Sequence, residues 1–225
     1  MSKIRTRNTS KLKFIQVGDD PTDFKIVVNK VTISYPHVFE PWAKNEGDRK
    51  RYSGKFLLPY KTHEEEIEIL QDFFDDLQKA WFKGKIKPDQ LCFKDGDQEA
   101  KPDYEDCWFL SASETIKHAP AVIDRDKSKL EESDDKIYGG AIVNVMIRPW
   151  KQNNDFGKRI NGNLLVVQFH EKGERFGEGA GGGASQADID EAFEESEVEV
   201  EVEELGESDR TRRNRRSRGD DGFED

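Results

Sequence analysis

A change of composition after residue 176 divides this chain into two parts. Residues 176–185 (FGEGAGGGAS) are rich in glycine, the residue that loses most backbone freedom on folding. Beyond them, residues 188–209 hold 12 acidic residues and no basic one, and residues 210–218 hold six arginines. Such dense like-charge blocks cannot bury enough apolar surface to offset the entropy of ordering. We therefore expect a disordered glycine-rich linker and acidic tail over residues 177–225, and a folded body before them.

The negative charge of the chain belongs to that tail. The formal net charge is −11 at pH 7, and the 19 acidic and 8 basic residues after His170 account for all of it. A body that is neutral overall can still present a basic face. The longest apolar stretches fall far short of the roughly 20 residues of a membrane helix, and the N-terminus has no apolar signal region. We therefore expect neither a membrane protein nor a secreted one.

The body is predicted to be mainly β. Runs rich in β-branched and aromatic residues predict strands at residues 26–35 (ended by Pro36), 52–58 (ended by Pro59), 108–112, 141–148 and 164–169. Asn161-Gly162 is a two-residue turn signal, so we expect the last two strands to form a hairpin around it.

One long helix is predicted between the second and third of these strands. Thr62 and Glu65 have the form of a capping box, and Gly84 stands where a C-cap is expected. Between them, apolar residues recur at helical spacing, at Ile67, Leu70, Phe74, Leu77 and Trp81. Several short strands and one helix within about 150 residues favour a small closed or half-open barrel over a parallel sheet.

Few residues favour catalysis. The four histidines are scattered, at positions 37, 63, 118 and 170, and no two of them stand four residues apart on one element. We therefore assign them surface or packing roles. The sequence contains no nucleophile-elbow, phosphate-loop or dinucleotide-binding motif. Cys92 and Cys107 are expected to be small packing residues in a reducing compartment. We expect no metal and no cofactor.

An acidic cluster at residues 95–106 leaves one catalytic alternative open. Its first, third and fifth positions are acidic, as in a calcium loop, but the sixth is Ala100 instead of glycine. Its carboxylates could instead hold metal ions in a nuclease, with Asp95, Asp97, Asp103 and Asp106 as the ligands. The simpler interpretation, which we adopt, is a solvated loop.

Aromatic and cationic side chains alternate in residues 35–56 and again in residues 148–159. Flat rings for unpaired bases and cations for phosphates are what single-stranded nucleic acid requires. The candidate stacking residues are Tyr35, Phe39, Trp42, Tyr52 and Trp150. The candidate phosphate-binding residues are Lys44, Arg49, Arg51, Lys55, Arg148, Lys151, Lys158 and Arg159. Phe56, Trp81, Trp108 and Phe169 are assigned instead to the edge of the core.

The N-terminus is basic as well. Residues 1–23 contain five Lys or Arg residues and no acidic residue before Asp19. We interpret them as a basic N-terminal arm, which would either contact phosphates or simply keep the end soluble.

Four segments of the body carry a family resemblance: residues 31–41 (VTISYPHVFEP), 95–97 (DGD), 137–140 (IYGG) and 164–168 (LLVVQ). With an acidic tail that closes on one aromatic residue, they resemble a family of phage single-stranded-DNA-binding proteins with an OB-fold. The resemblance spans about residues 24–170. It implies a five-stranded OB-fold barrel over residues 24–176 that binds single-stranded DNA without performing a chemical step.

The resemblance also implies a biological role. Such a protein would coat single-stranded DNA, without sequence preference, during phage DNA replication, recombination or repair in the cytoplasm of the infected bacterial host. Its tail would compete with DNA and recruit a phage or host polymerase, helicase or recombinase, through Asp220, Asp221, Phe223, Glu224 and Asp225. The arginine block at 210–218 departs from the usual acidic tail.

The sequence alone leaves two other functional classes possible. One is the metal-dependent nuclease described above. The other is a DNA-mimicking interaction protein, in which the acidic tail occupies a partner's nucleic-acid site and the body only displays it. The oligomeric state is not determined by these patterns.

Overall fold

The computed structural model describes residues 4–99 and 101–176. The chain divides into two units, Met1–Ser185 and Gln186–Asp225, and all described residues belong to the first. The predicted linker and tail, 177–225, lie outside the described residues. The long helix and the strands are β1 (Leu12–Gln16), β2 (Phe24–Trp42), β3 (Arg51–Pro59), α1 (Tyr60–Phe82), β4 (Phe93–Asp95), β5 (Cys107–Thr115), β6 (Ala121–Ile123), β7 (Ile142–Asn154) and β8 (Gly157–Glu171). None of the described helices is long and apolar enough to cross a membrane.

Five of these strands close into a barrel. β2 pairs with β3 and β7, β3 pairs with β5, and β7 pairs with β8, all antiparallel. The barrel closes where β8 meets β5 in parallel, at Ser113 and Asn163. Gly162 permits this close approach, since a Cβ there would lie 3.0 Å from the carbonyl oxygen of Ser111. The prediction of a mainly β protein with a five-stranded barrel and one helix is confirmed.

The remaining strands and the helix enlarge this barrel. β1, β4 and β6 pair with β2, β5 and β8 respectively. α1 follows β3, the second barrel strand, as the sequence predicts, and buries its apolar face. The Phe74 ring of α1 stacks on Phe93 of β4, with ring centroids 5.5 Å apart. Inward-facing Ile26 and Val145, on neighbouring strands β2 and β7, represent a core that is almost wholly aliphatic and aromatic.

The helix begins and ends differently from the prediction. α1 starts directly after Pro59, and the Thr62 hydroxyl bonds to the carbonyl of Pro59 instead of capping the first turn. The chain kinks at His63, where φ is −131° and ψ is 22°, and this side chain is buried. The capping-box prediction is therefore wrong. At the other end Lys83, one residue before the predicted glycine, adopts the left-handed conformation that ends the helix.

β2 continues through the proline predicted to stop it. Shifts of register between Ser34 and His37, and again before Trp42, let Pro36 lie in the strand without donating to the ladder. Tyr35, directly before the proline, has a positive φ of 50°. The predicted end of the first strand is therefore wrong, and its extension becomes one wall of the site described below.

The turn of the last hairpin is also misplaced by the sequence prediction. Asn161 and Gly162 pair with Trp150 and Pro149 inside the β7–β8 ladder. The chain turns instead between Asn154 and Gly157, where Gly157 has the positive φ, 105°, that such turns favour. The predicted Asn-Gly turn is wrong because Gly162 is used for the close packing of β8 on β5.

Residues 4–23, which the sequence analysis interprets as a basic N-terminal arm, pack on the barrel. β1 joins the sheet beside β2, and Phe14 is buried, packed against Phe73 of α1. The Arg5 side chain donates a 2.7 Å hydrogen bond to Asp76 of the helix. The N-terminal segment is therefore part of the folded domain, and Arg5 is paired with a carboxylate instead of being offered to phosphates.

Candidate nucleic-acid interface

A groove of about 570 Å³ crosses the outside of the barrel over β3 and β5. One end is formed by the extension of β2 and the other by β8, with residues 89–94 along one side. β3 and β5 are the second and third barrel strands. In OB-folds this face, together with the loops after the first and fourth strands, binds oligonucleotides. Here those loops are residues 43–50 and 155–156.

Exposed rings are concentrated at the β2 end of the groove. Tyr35 is 51% exposed and Trp42 is 49% exposed, and both line the groove. His37 lies flat against Trp42, with ring centroids 4.7 Å apart and planes 10° apart. Burial lowers the pKa of His37, which favours the neutral ring. Bulky residues this exposed on a rigid strand are available for stacking with unpaired bases.

Cations surround these rings. The groove is lined by Lys44, Lys55, Lys94, Lys101 and Arg159. The Lys101 ammonium lies 4.1 Å from the centre of the Tyr35 ring and donates a 2.9 Å hydrogen bond to its hydroxyl. The Lys55 ammonium lies over the rings of Tyr104 and Phe109, at 4.9 and 4.8 Å. Burial lowers the pKa of Lys55, although Glu99, 4.0 Å away, favours its charged form.

A second cavity of about 380 Å³ adjoins the groove at the loop 43–50. It shares Trp42, Lys44, Ser53 and Ser113 with the groove and adds Arg49 and Arg51. Of the sequence-predicted residues, the structure thus brings together Tyr35, Trp42, Lys44, Arg49, Arg51, Lys55 and Arg159.

Two predicted phosphate-binding residues are engaged elsewhere. The Arg148 guanidinium donates hydrogen bonds to both carboxylate oxygens of Asp23, and this contact raises the pKa of Arg148. The Lys151 ammonium lies 5.4 Å from the centre of the Phe82 ring, at the end of α1. Neither residue lines the groove.

Other predicted residues are placed away from the groove by the pleat. Tyr52 lies next to Ser53 on β3, so the two side chains face opposite sides, and Ser53 is the one in the groove. Lys158 is likewise adjacent to Arg159 on β8 and faces away. Phe39 packs against the core. Tyr52, Lys158 and Phe39 therefore do not line the groove, and their DNA-binding roles stay predictions.

Trp150 lies at the edge of the groove. It is 39% exposed and is directly opposite Asn161 in the β7–β8 pair, so the two side chains share a face. Asn161 lines the groove and Trp150 does not. Its stacking role stays a prediction.

Several groove residues were missed by the sequence interpretation. His37, Lys94 and Lys101 line the groove, together with small polar residues of β3 and β5. Lys101 belongs to the acidic cluster 95–106, whose acidic composition concealed it. His37 follows Tyr35 by two residues, and this alternation along an extended strand was the available signal.

Two carboxylates of the acidic cluster accept hydrogen bonds from backbone N–H groups of the same segment. Asp95 Oδ1 accepts a hydrogen bond from the Asp97 backbone at 3.1 Å, and Asp97 Oδ1 accepts one from the Asp106 backbone at 2.8 Å. Within residues 4–99 and 101–176, no group of three or more His, Cys, Asp or Glu side chains could hold a metal ion. Cys92 and Cys107 are buried and free, as expected, and burial raises the pKa of Cys92 to about 12.

A five-stranded barrel with an aromatic and cationic groove over its second and third strands defines an OB-fold protein of the nucleic-acid-binding class. The chain belongs to the Enterobacter phage Enc34 single-stranded-DNA-binding protein family, whose model matches residues 24–202. The family resemblance found in the sequence is thus confirmed.

Individual relatives agree with this assignment. The single-stranded DNA-binding protein of bacteriophage Enc34, solved in complex with single-stranded DNA, is 34% identical, with a TM-score of 0.62 over 73% of this chain and 99% of that one. The same phage protein without DNA is 34% identical, with a TM-score of 0.60 over 75% and 95%. Protein p50 of Acyrthosiphon pisum secondary endosymbiont phage 1 is 30% identical, over 78% of this chain and 98% of that protein.

Proposed function

We propose that this chain binds single-stranded DNA in the groove over β3 and β5, without sequence preference. The observation that carries the proposal is the groove itself, where exposed Tyr35 and Trp42 stand among five cationic side chains. Every base offers a flat face, so stacking on these rings does not select a sequence. A duplex hides those faces inside its base stack, so single strands are preferred. The relative from phage Enc34, solved with single-stranded DNA, has the same fold.

The proposed biological role is to coat and protect single-stranded DNA during phage replication, recombination or repair, in the cytoplasm of the infected host. In this role the protein neither forms nor breaks a covalent bond in the DNA. After incubation with Mg²⁺, a bound oligonucleotide should be recovered at full length. Shortened products would instead favour the metal-dependent nuclease.

The route of the chain toward its tail supports a regulatory part of this proposal. The Tyr138 hydroxyl donates to the carbonyl of Gly173 at 2.9 Å, and the Phe176 backbone donates to Gly139 at 2.9 Å. The Phe176 ring packs on the cluster that contains Tyr104 and Phe109, the rings beneath Lys55. The chain therefore leaves the barrel beside the groove, from where an acidic tail can compete with DNA.

A matched pair of lysine substitutions tests the location of the site. Lys55→Met removes a groove cation, whereas Lys151→Met removes one that lies over Phe82. We expect Lys55→Met to weaken binding of a fluorescein-labelled oligothymidylate several-fold and to reduce the salt slope by about 0.7, the value of one phosphate contact on a single strand. Lys151→Met should change neither quantity. Equal losses in the two variants would contradict the groove as the binding site.

Truncation tests the competing tail. A variant that ends at Gly177 should bind single-stranded DNA more tightly than the full chain at low salt, because a tethered acidic segment reaches a high effective concentration near the groove. The difference should shrink as salt screens both interactions. Unchanged affinity at low salt would exclude competition. Weaker binding would assign the arginines at 210–218 to the DNA site, and complete loss would favour the DNA-mimicking class.

A further inference from the structure

His37 and Trp42 form a stacked pair at the β2 end of the groove. Their ring centroids are 4.7 Å apart and their planes 10° apart, and both residues line the groove. His37 lies directly opposite Ser53 of β3, another groove residue, so the two side chains share a face of the sheet. Because His37 covers one face of the Trp42 ring, a base can stack only on the other face.

The stack also fixes how the imidazole is presented. Both ring nitrogens lie in the plane of the imidazole, which is nearly parallel to Trp42, so they point out of the edge of the stack instead of toward the indole. Within residues 4–99 and 101–176, neither nitrogen has a hydrogen-bond or ion-pair partner. Solvent reaches both, because no fully buried side-chain nitrogen in this part of the chain lacks a partner. The groove thus contains an imidazole edge with unused hydrogen-bonding capacity.

The surroundings of His37 favour the neutral ring while the groove is empty of DNA. Its side chain is half-buried, and this loss of hydration lowers its pKa below the ordinary value of 6.5. The charged side chains that line the groove with it are five cations and one carboxylate: Lys44 after β2, Lys55 of β3, Lys94 of β4, Lys101, Arg159 of β8, and Asp89. This excess of positive charge opposes a further proton on the ring.

Bound DNA would act in the opposite direction. A phosphate in the groove brings negative charge, which favours the protonated imidazole, and its oxygens accept a charge-assisted hydrogen bond from a ring N–H. The same phosphate neutralises part of the charge of the neighbouring cations. Arg159, by contrast, carries its charge with or without DNA. A histidine at this position therefore adds a positive charge to the groove only when an anion is present.

We propose that His37 is a phosphate-binding residue of the groove, and that it takes up a proton when single-stranded DNA binds. Trp42 holds the imidazole edge toward the phosphate, while its own free face stacks with a base. The inference rests on the proposed function. Since DNA and the proton favour each other's binding, affinity for single-stranded DNA rises as the pH falls through the range in which histidine titrates.

Fluorescence titrations of the full chain at about pH 8 and about pH 6 measure this coupling. The ligand is oligothymidylate, whose bases take up no proton in this range. Wild-type affinity should be about three- to ten-fold higher at the lower pH, where ten-fold corresponds to a shift of one pKa unit. Asp and Glu side chains titrate near pH 4 in model peptides, below this range.

Three variants assign the effect to one residue. His37→Gln should remove the rise in affinity at the lower pH. His118→Gln is the matched control, because His118 is exposed and does not line the groove, and it should keep the full rise. His37→Phe retains a flat ring against Trp42 but cannot bind a proton. It should bind close to wild type at the higher pH and gain nothing at the lower one.

NMR observes the proton itself. The ring signals of His37 are followed against pH in the full chain, with and without oligothymidylate, and the signals of His118 serve as the internal reference. DNA should raise the pKa of His37. A titration of His37 that DNA leaves unchanged would overturn the inference.

The affinities separate this inference from the proposed function. If His37→Gln retains the rise, or His118→Gln loses it, proton uptake at His37 is wrong. Equal losses at both pH values in His37→Gln and His37→Phe would also contradict it, and would leave His37 a packing partner of Trp42. If wild-type protein binds no single strand at either pH, it is the proposed function that fails.

Discussion

Tyr35 shows how one backbone angle prepares a binding surface. Its positive φ of 50° is uncommon for a residue with a side chain and costs about 1–3 kcal/mol. The Tyr35 ring, directly before Pro36, is 51% exposed, and Lys101 contacts it through the ring face and a hydrogen bond to its hydroxyl. A conformation that is unfavourable locally is thus maintained where it exposes a ring to the groove.

The carboxyl group of Asp76 makes the free energy of unfolding depend on pH in the acidic range. Two hydrogen bonds from the Arg5 side chain, 2.7 and 2.9 Å long, lower the pKa of Asp76 from 3.8 to about 2. The unfolded chain therefore binds the proton first, and the stability that this pair contributes above pH 4 is lost as the pH falls toward 2. Asp76→Asn removes this group. Thermal unfolding at a series of pH values should give a steeper fall below pH 4 for the wild type than for the variant. Parallel curves would show that the pair does not contribute.

At the scale of elements, two glycines with the same backbone angle test the segment that leads to the tail. Gly140 and Gly157 both have φ of 105°. A Cβ at Gly140 would lie 1.7 Å from the Glu174 carbonyl oxygen, whereas a Cβ at Gly157 would have no neighbour within 4 Å. Gly157→Ala should cost about 1–3 kcal/mol of backbone strain. Gly140→Ala should cost more, because it also displaces residues 173–176. Urea unfolding measures the difference, and equal losses would mean that this segment is not packed as described.

Local sequence patterns predicted which strands and which helix form better than they predicted the residues at which these begin and end. The β-branched runs and the helical spacing from Ile67 to Trp81 identified the barrel strands and α1, because these patterns follow from which side chains are buried. The Asn161-Gly162 turn and the stop at Pro36 were wrong, because tertiary contacts decided them. Gly162 lies in the close approach of β8 to β5, and register shifts accommodate Pro36.

At the scale of the whole molecule, the site depends on contacts that no local pattern contains. Tyr35 and Lys101 are 66 positions apart in sequence, yet form one surface. The sequence predicted Trp42, Lys55 and Arg159 from their composition, since rings and cations recur in their segments. It could not exclude Arg148, because its partner Asp23 is 125 positions away.

The central claim is that the groove binds single strands through stacking and phosphate contacts, and a salt-dependent fluorescence titration tests it most directly. The full chain is titrated with an oligothymidylate and with a duplex of equal length at several salt concentrations. Three to five phosphate contacts, from the groove cations, predict a log–log slope of roughly −2 to −3.5 for the single strand and weaker binding of the duplex. Equal affinity for both forms, or a slope near zero, would contradict the account.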